Sequence, residues 1–399
     1  MSGMGSTMSV ASGVPVSDVD LFSEEVISDP YRAYSNFRSL GPVVWLTQCS
    51  CYFLTRFSEI HAALGDWKTF TSAQGVTLND QMNAALRGGV LCSDPPEHDA
   101  IRKVLIKPLM PNALRDLSDK ITSEAEGLVD RLVAKGSFDA ATELAQHLPV
   151  TIVSDLVGLP EEGREKMLEW AAANFQCFGP LNDRTLAAFP TAQGMVDYAF
   201  TQCVPGKLKP GGWASMIWDA ADRGEISHDQ CGPMMNDYMG PSLDTTIFAT
   251  SSAVWLFAQN PDQWDILCAN PQLIPNAVNE VIRVESPIQN FSRVLTRDFS
   301  VGGAVLPAGS RIIVSYGCAN RDPDKWAAPD RFDVRRRAMD HVGFGHGVHR
   351  CIGNNLARME IAALLTALTK RVKRFKVVNA ERHIINVLRG FKKLEVSVS

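Results

Sequence analysis

The residues most suited to carry out chemistry lie between Phe344 and Glu360, in the sequence FGHGVHRCIGNNLARME. Cys351 stands in a segment with glycine at positions 345, 347 and 353, and glycine allows backbone conformations and close approaches that other residues do not. Apolar residues with helical spacing follow directly: Leu356, Ala357, Met359, Ala362, Ala363 and Leu364. The pattern predicts a tight loop that presents a thiol at the start of a helix, where the helix dipole favours the thiolate.

Cys351 has two plainer interpretations. A lone cysteine is most often a small buried hydrophobe. His346, His349 and Cys351 could also contribute to a zinc site, but zinc takes four ligands, usually with a CxxC or HxxxH pair, and the sequence has no such pair nearby. Cys49 and Cys51 are separated by one residue only, which makes a poor chelate.

An acid followed by an alcohol stands inside a long apolar stretch that runs from Met234 to Phe257 and predicts a helix. Asp244 and Thr245 are unusual there, because both residue types are weak helix formers that compete for backbone hydrogen bonds. Pro241 lacks an N–H group and therefore predicts a kink just before them.

Two further pairs share a helical face. His98 and Arg102 are four residues apart in a helix predicted to start after Asp94-Pro95-Pro96. Glu280 and Arg283 are three residues apart, and alone they indicate no more than an ion pair.

Taken in chain order, these motifs resemble those of the cytochrome P450 family. The cysteine segment is similar to the haem-binding signature of that family, with matches at Phe344, Gly345, Gly347, His349, Cys351, Gly353, Leu356, Ala357, Arg358 and Glu360. The resemblance implies a mainly α fold with a smaller β region, and haem b between the cysteine loop and the long oxygen-binding helix. Cys351 would be the axial thiolate, which favours O–O cleavage. Phe344 would shield the sulfur, and the amides of the loop that includes Gly345 and Gly353 would tune it.

The resemblance also implies roles for the other motifs. His98, Arg102, Arg293 and His349 would bind the haem propionates. Thr245 would position the reacting oxygen and a water molecule, and Asp244 would relay protons. Glu280, Arg283 and Arg331 would form a buried charge network that fixes the cysteine loop. The sequence departs from the family at Pro241-Ser242, where small Ala or Gly residues are usual.

The substrate pocket is predicted to be apolar and aromatic. Its expected walls are the loop from Gln74 to Leu86, the Phe175–Phe178 region, residues 288–291 and the long helix, with the side chains Val76, Leu78, Phe175, Phe178, Leu243, Ile288 and Phe291. Aromatic walls suit flat aromatic guests, although each of these phenylalanines could instead be part of the core.

The strings PSLDTT and FGP resemble bacterial P450s that demethylate methoxybenzoates and hold the carboxylate partly with a basic residue in the first loop. The first loop here carries Gln74, Thr77 and Asn79, and its nearby basic residue is Arg87. Burying a carboxylate without a cation is costly, so a neutral or phenolic aromatic substrate is expected, oxidised by O-demethylation or by hydroxylation. Terpene or fatty-acid hydroxylation, a peroxide-driven peroxygenase and a haem-based sensor remain alternatives.

Electrons are expected from a partner, because the sequence contains no reductase motif. The resemblance points to an iron–sulfur ferredoxin with an NAD(P)H-dependent reductase. Basic residues near the cysteine loop predict an acidic donor steered by charge: Arg335, Arg336, Arg337, Arg350 and Arg358.

Composition limits the remaining possibilities. The chain has 399 residues with 45% hydrophobic and 21% charged residues, and a net charge of −5 gives no reason to expect nucleic acid. A run of eighteen apolar residues is missing, so no membrane span is predicted. Residues 1–17 are predicted to be a disordered leader, and residues 18–399 a single domain. Nine cysteines without repeated spacing indicate free thiols in a reducing cytoplasm. A monomer is expected.

Overall fold

The computed structural model describes residues 10–399, which form a mainly α-helical fold with a smaller β region, as predicted. The strands are β1 Val16–Ser17, β2 Val43–Leu46, β3 Cys51–Leu54, β4 Phe70–Thr71, β5 Ser137–Asp139, β6 Asn290–Leu295, β7 Phe299–Val301, β8 Ala304–Leu306, β9 Arg311–Ser315, β10 Phe375–Arg382 and β11 Phe391–Val398. The α-helices of the first half are α1 Glu24–Ser28, α2 Tyr31–Leu40, α3 Phe57–Gly65, α4 Asp80–Ala85, α5 Glu97–Ile106, α6 Pro111–Leu114, α7 Ser118–Lys135, α8 Ser154–Val157 and α9 Met167–Gln176. Those of the second half are α10 Asp183–Thr201, α11 Trp213–Asp222, α12 Cys231–Met239, α13 Asp244–Gln259, α14 Pro261–Ala269, α15 Ile274–Glu285, α16 Tyr316–Ala319 and α17 Asn354–Thr369.

The largest sheet joins segments that are far apart in sequence. Its strand order is β1-β2-β3-β9-β6-β4, with parallel pairing between β1 and β2 and between β3 and β9. Strands β10, β11 and β5 form a second sheet, and β7 and β8 form a hairpin. Strand β6 places Arg293 opposite Ile312 of β9, in a strand whose residues are all buried.

The start of the described chain is ordered. Residues 1–9 of the predicted leader lie outside the described residues. Within its remainder, Val16 and Ser17 pair with Trp45 and Leu46 of β2, so the sheet begins inside the segment that was predicted to be disordered.

The helix α13 lies at the centre of the fold, with most of its residues buried around its whole circumference. It packs against α15 and α17, and α17 also packs against α7. Within residues 10–399 no helix combines the length and the apolar character that are needed to cross a bilayer.

The predicted long helix from Met234 to Phe257 is two helices. Helix α12 ends at Met239 and α13 starts at Asp244, so the chain is interrupted where a kink was predicted. Gly240 and Pro241 explain the interruption, because glycine weakens a helix and proline cannot donate the next backbone hydrogen bond.

Candidate active site

The cysteine segment forms the predicted loop at the start of a helix. The Cys351 N–H donates to the Phe344 carbonyl at 2.8 Å and closes the loop. Gly347 has φ +69°, and a Cβ at this position would lie 2.5 Å from the Leu64 carbonyl oxygen. The loop therefore requires glycine there, both for its conformation and for its close approach to α3. Helix α17 begins three residues after the cysteine.

The Cys351 sulfur faces a cavity of about 250 Å³, and the same cavity is lined by Phe344, Gly345 and Gly353. Removal from bulk solvent raises the pKa of the Cys351 thiol, while the Gly353 amide and nearby guanidinium groups act in the opposite direction. Arg102 is one of these groups, and its guanidinium also donates to the Arg350 carbonyl at 2.7 Å. Helix α5 is thereby attached to the cysteine loop.

Three side chains that can donate hydrogen bonds lie in or next to this loop: His98, Arg293 and His349. His98 is fully buried, its ring centroid lies 4.6 Å from that of His349, and its Nδ1 is 3.0 Å from Asp99 Oδ1. The Nε2 atoms of both histidines are buried without a hydrogen-bond partner among the described residues, and that of His349 lies 3.7 Å from Asp94 Oδ1. Burial lowers the pKa of His349 to about 4. Arg293 is also buried and lies close enough to His349 to influence its charge.

A buried ion pair on helix α15 holds the segment that leads into the cysteine loop. The Arg283 guanidinium donates to Glu280 at 2.8 and 2.9 Å, and both side chains are fully buried. Arg283 also donates to the carbonyls of Asn320 and Pro329. These bonds tie α15 to the segment that precedes the cysteine loop.

The third member of this network is Arg336, which corrects the prediction of Arg331. The Arg336 Nε donates to Glu280 at 3.1 Å and its other nitrogens donate to backbone carbonyls. Arg331 is exposed and contributes only its backbone carbonyl, which accepts from Arg283 at 3.3 Å. The chain between Pro329 and Arg337 is irregular, so no periodic pattern indicates which arginine turns inward.

The interruption between α12 and α13 opens one wall of the cavity. Pro241, Ser242 and Thr245 all line the cavity. The Thr245 hydroxyl donates to the Pro241 carbonyl at 2.9 Å, so it satisfies a carbonyl that the missing helical turn leaves free.

Asp244, the neighbour of Thr245, is buried at the first position of α13. It does not line the cavity, and its Oδ2 has no hydrogen-bond partner among the described residues. Burial raises the pKa of Asp244 to about 7, so this carboxyl can lose and regain a proton near neutral pH.

The cavity is mainly apolar, and four of the predicted wall residues line it. These are Phe175, Phe178, Ile288 and Phe291. The Phe175 and Phe178 ring centroids are 5.4 Å apart, and those of Phe178 and Phe291 are 5.8 Å apart. The three rings therefore form a continuous aromatic wall.

Val76, Leu78 and Leu243 do not line this cavity, which corrects the prediction for them. The Val76 carbonyl accepts from Ser292 of β6, and the Leu78 N–H donates to the Phe178 carbonyl. These bonds hold that part of the first loop behind the wall. Leu243 is buried within the helix interruption. The residues of this region that do line the cavity come at the end of the predicted loop and just after it: Ala85, Leu86, Gly89, Val90 and Leu91.

Sequence reasoning missed the polar part of the cavity. Asn174, Asn236 and Asp237 line it together with Trp213. A signal was available in the sequence, because Asn-Asp within the apolar string of α12 is as unusual as Asp-Thr in α13.

Comparisons with known proteins agree with this geometry. A family model described as cytochrome P450 matches residues 219–390. Cytochrome P450 CYP199A2 of Rhodopseudomonas palustris is 36% identical over 97% of this chain and 95% of that protein. Linalool 8-monooxygenase of Pseudomonas putida is 28% identical over 94% of this chain and 97% of that protein.

Two solved structures show the same fold. Mycobacterium marinum cytochrome P450 CYP268A2, in complex with pseudoionone, has a TM-score of 0.86 and 26% identity, covering 97% of this chain and all of that chain. P450BioI, in complex with acyl carrier protein carrying hexadec-9Z-enoic acid, has a TM-score of 0.85 and 25% identity, covering 94% of this chain and 99% of that chain.

Haem b, which this family binds through a cysteine thiolate, fits the residues of the cavity. Cys351 lines the cavity. The Nε2 atoms of His98, which has no hydrogen-bond partner among the described residues, and of His349, which lies 3.7 Å from Asp94 Oδ1, can donate to an anionic group such as a propionate. The buried Arg293 beside them adds a positive charge. With this agreement between sequence, site and fold, the chain belongs to the cytochrome P450 family of haem-thiolate monooxygenases.

Proposed function

We propose that this monooxygenase oxidises a small aromatic substrate, by O-demethylation or by hydroxylation at an alkyl carbon. The observation that carries the proposal is the wall formed by Phe175, Phe178 and Phe291 in the cavity that also contains Thr245 and Cys351. Aromatic rings at these separations favour offset or edge-to-face contacts with a flat guest.

The residues of the site have distinct roles in this proposal. Haem b bound through Cys351 supplies the chemistry of O₂ activation. Its propionates are held by His98, Arg102, Arg293 and His349, and Arg102 also donates to the Arg350 carbonyl of the cysteine loop. Thr245 holds a water molecule at the cavity wall.

Asp244 supplies protons to that wall. Its raised pKa lets the carboxyl give a proton and recover one from solvent near neutral pH. The presence of this acid next to Thr245 favours the O₂-dependent reaction over a peroxide-driven one.

The preferred substrate is neutral or phenolic. The arginine side chains that line the cavity are Arg102 and Arg350, and they belong to α5 and the cysteine loop. Arg87 is exposed and does not line the cavity. A benzoate bound against the aromatic wall would therefore lack a cationic partner and would lose its hydration without compensation.

The proposed electron donor is an acidic ferredoxin. The enzyme itself is proposed to be a cytoplasmic monomer. Arg335 and Arg337 are exposed on the segment before the cysteine loop, and Arg350 is exposed within that loop. Such a group of positive charges attracts an acidic partner toward the cysteine. Arg336, which was predicted to belong to this surface, is instead engaged with Glu280.

Turnover tests the proposal directly. Purified enzyme is supplied with NAD(P)H, a reductase and a ferredoxin, and then with matched methoxybenzenes, methoxyphenols, linalool-like terpenes and fatty acids. Coupled formation of the demethylated or hydroxylated aromatic product is expected. Oxidation of terpenes or fatty acids alone would contradict the aromatic substrate class, and equal turnover with peroxide and no partner would contradict the ferredoxin-dependent reaction.

A further inference from the structure

The carboxylate of Asp237 lies on the cavity wall formed by α12, eight residues before Thr245. Its Oδ2 accepts a hydrogen bond from the Val90 N–H at 2.8 Å. Among residues 10–399 this is the one hydrogen bond of the Asp237 carboxylate, and no lysine, arginine or histidine in that range forms an ion pair with it. Oδ1 is therefore available to a guest in the cavity.

Asn236 and Asn174 add to the polarity of the same region. Both line the cavity, and the Asn236 Oδ1 is buried without a hydrogen-bond partner among the described residues. The Asn174 amide nitrogen lies near Gly240, where a Cβ would approach it to 2.9 Å. A buried acceptor that lacks a donor costs free energy until a ligand supplies one.

We propose that Asp237, assisted by Asn236, determines substrate specificity by binding an aromatic hydroxyl group and excluding a carboxylate. This inference rests on the proposed oxidation of an aromatic substrate. The hydroxyl hydrogen bonds to Asp237 while the opposite end of the ring, which carries the methoxy or alkyl group, extends along the wall toward Thr245 and Cys351.

The protonation state of Asp237 explains both the binding of an aromatic hydroxyl group and the exclusion of a carboxylate. Burial raises the pKa of Asp237 to about 7. Either protonation state can form a hydrogen bond with a phenol, because the ionised acid accepts and the neutral acid donates and accepts. The ionised acid repels a carboxylate at short range, and like charges in a poorly solvated site destabilise one another strongly.

The test uses three ligands that differ only opposite the methoxy group: para-methoxyphenol, para-methylanisole and para-methoxybenzoate. Their binding to the haem-loaded enzyme is followed by the low- to high-spin shift. The wild-type enzyme is expected to bind the phenol tightest and the benzoate weakest. In Asp237→Asn the preference for phenol over methylanisole should fall about tenfold, and benzoate should bind about tenfold tighter.

Two variants serve as controls. Asp237→Glu keeps the carboxyl group and should keep the exclusion of benzoate. Asp229→Asn removes an exposed acid from the helical turn that precedes α12 and should leave all three affinities unchanged. A red-shifted Soret band of the reduced carbon monoxide complex verifies that each variant is folded around thiolate-ligated haem.

The outcomes separate this proposal from the one on which it rests. If aromatic ligands bind but the affinity ratios of phenol to methylanisole and of benzoate to methylanisole are the same in wild type and Asp237→Asn, the role of Asp237 is contradicted and the aromatic substrate class stands. If none of the three ligands shifts the spin state of any protein, while terpenes or fatty acids do, both proposals are overturned.

Discussion

At the residue scale, the proposed mechanism gives the adjacent residues Asp244 and Thr245 two parts of one proton relay. Thr245 reaches the cavity wall and is held there by the Pro241 carbonyl. Asp244 is buried behind the wall with one oxygen unpartnered. A hydroxyl at the reacting centre and an acid that exchanges protons behind it are the parts that a proton relay requires.

Thr245→Ala should leave substrate binding and reduction intact but divert reducing equivalents to peroxide, because water at the wall is no longer held. Thr250→Ala, on the same helix and away from the cavity, is the matched control. The measurement is the ratio of product to NAD(P)H consumed. An unchanged ratio of product to NAD(P)H in Thr245→Ala would show that Thr245 has no role in the reaction.

Asp244→Asn should slow coupled turnover by about 10²–10⁴, the usual contribution of a positioned acid–base group. In the wild type, turnover should fall as pH rises above about 7, because the protonated carboxyl is the proton donor and its pKa is about 7. The variant should lack this ionisation. A variant with wild-type rate and the same pH profile would contradict the relay.

The same carboxyl should affect the pH dependence of stability. Its pKa rises from 3.8 to about 7 on folding, so the folded state binds more protons between these values. Stability should therefore fall as pH rises from about 4 to about 7 and then lose nothing further from this group. Subtracting the unfolding free energies of Asp244→Asn from those of the wild type across this range isolates the effect. A difference that does not change with pH would show that the carboxyl is solvated in the folded protein.

At the scale of elements, the position of the cysteine loop depends on helix α15. The buried Glu280–Arg283 pair joins this helix to the chain at Asn320, Pro329 and Arg336. Loss of one partner leaves an uncompensated buried charge, which is far more costly than loss of an exposed arginine.

Arg283→Ala should reduce the unfolding free energy by about 3–5 kcal/mol and weaken haem retention. Arg336→Ala should cost about 1–3 kcal/mol, because a hydrogen-bonded charge is removed from Glu280. Arg331→Ala, the matched arginine with an exposed side chain, should stay within about 0.5 kcal/mol of the wild type. Denaturant unfolding measures all three. Equal losses in Arg331→Ala and Arg336→Ala would contradict the assignment of Arg336 to the network.

Sequence reasoning succeeded where local pattern decides structure. Three features follow from local rules: the loop and helix around Cys351 from glycine conformation, the start of α5 from proline and acidic residues in its first turn, and the Glu280–Arg283 pair from helical spacing. It failed where tertiary packing decides. Which side chain of an irregular segment turns inward, as for Arg336, and which part of the first loop reaches the cavity, as for Val76 and Leu78, have no periodic signal.

At the scale of the whole molecule, the distribution of charge suggests how electrons arrive. The chain is acidic overall, with a net charge of −5, yet basic side chains are exposed near the cysteine loop. A local positive field on an acidic protein guides an acidic donor by orientation, and this effect weakens as salt screens the charges.

Replacement of Arg335 and Arg337 together by Glu should slow association with the ferredoxin at low salt, with the difference shrinking as ionic strength rises. Substrate affinity should not change. Lys376→Glu, which reverses one charge at an exposed position of the three-stranded sheet, is the control. The rate of the first electron transfer at varied donor concentration provides the measurement. Equal rates in the double variant and the wild type at every ionic strength would place the docking surface elsewhere.

The central claim is that Cys351 holds the haem as a thiolate, since every other role depends on it. The most direct measurement is the absorption spectrum of the reduced carbon monoxide complex, recorded on freshly purified protein and on Cys351→His. The wild type should show the strongly red-shifted Soret band of thiolate ligation, and the variant should lose both this band and monooxygenase activity even if it retains haem. A histidine-type spectrum in the fresh wild-type protein, or a thiolate spectrum that survives in Cys351→His, would contradict the account.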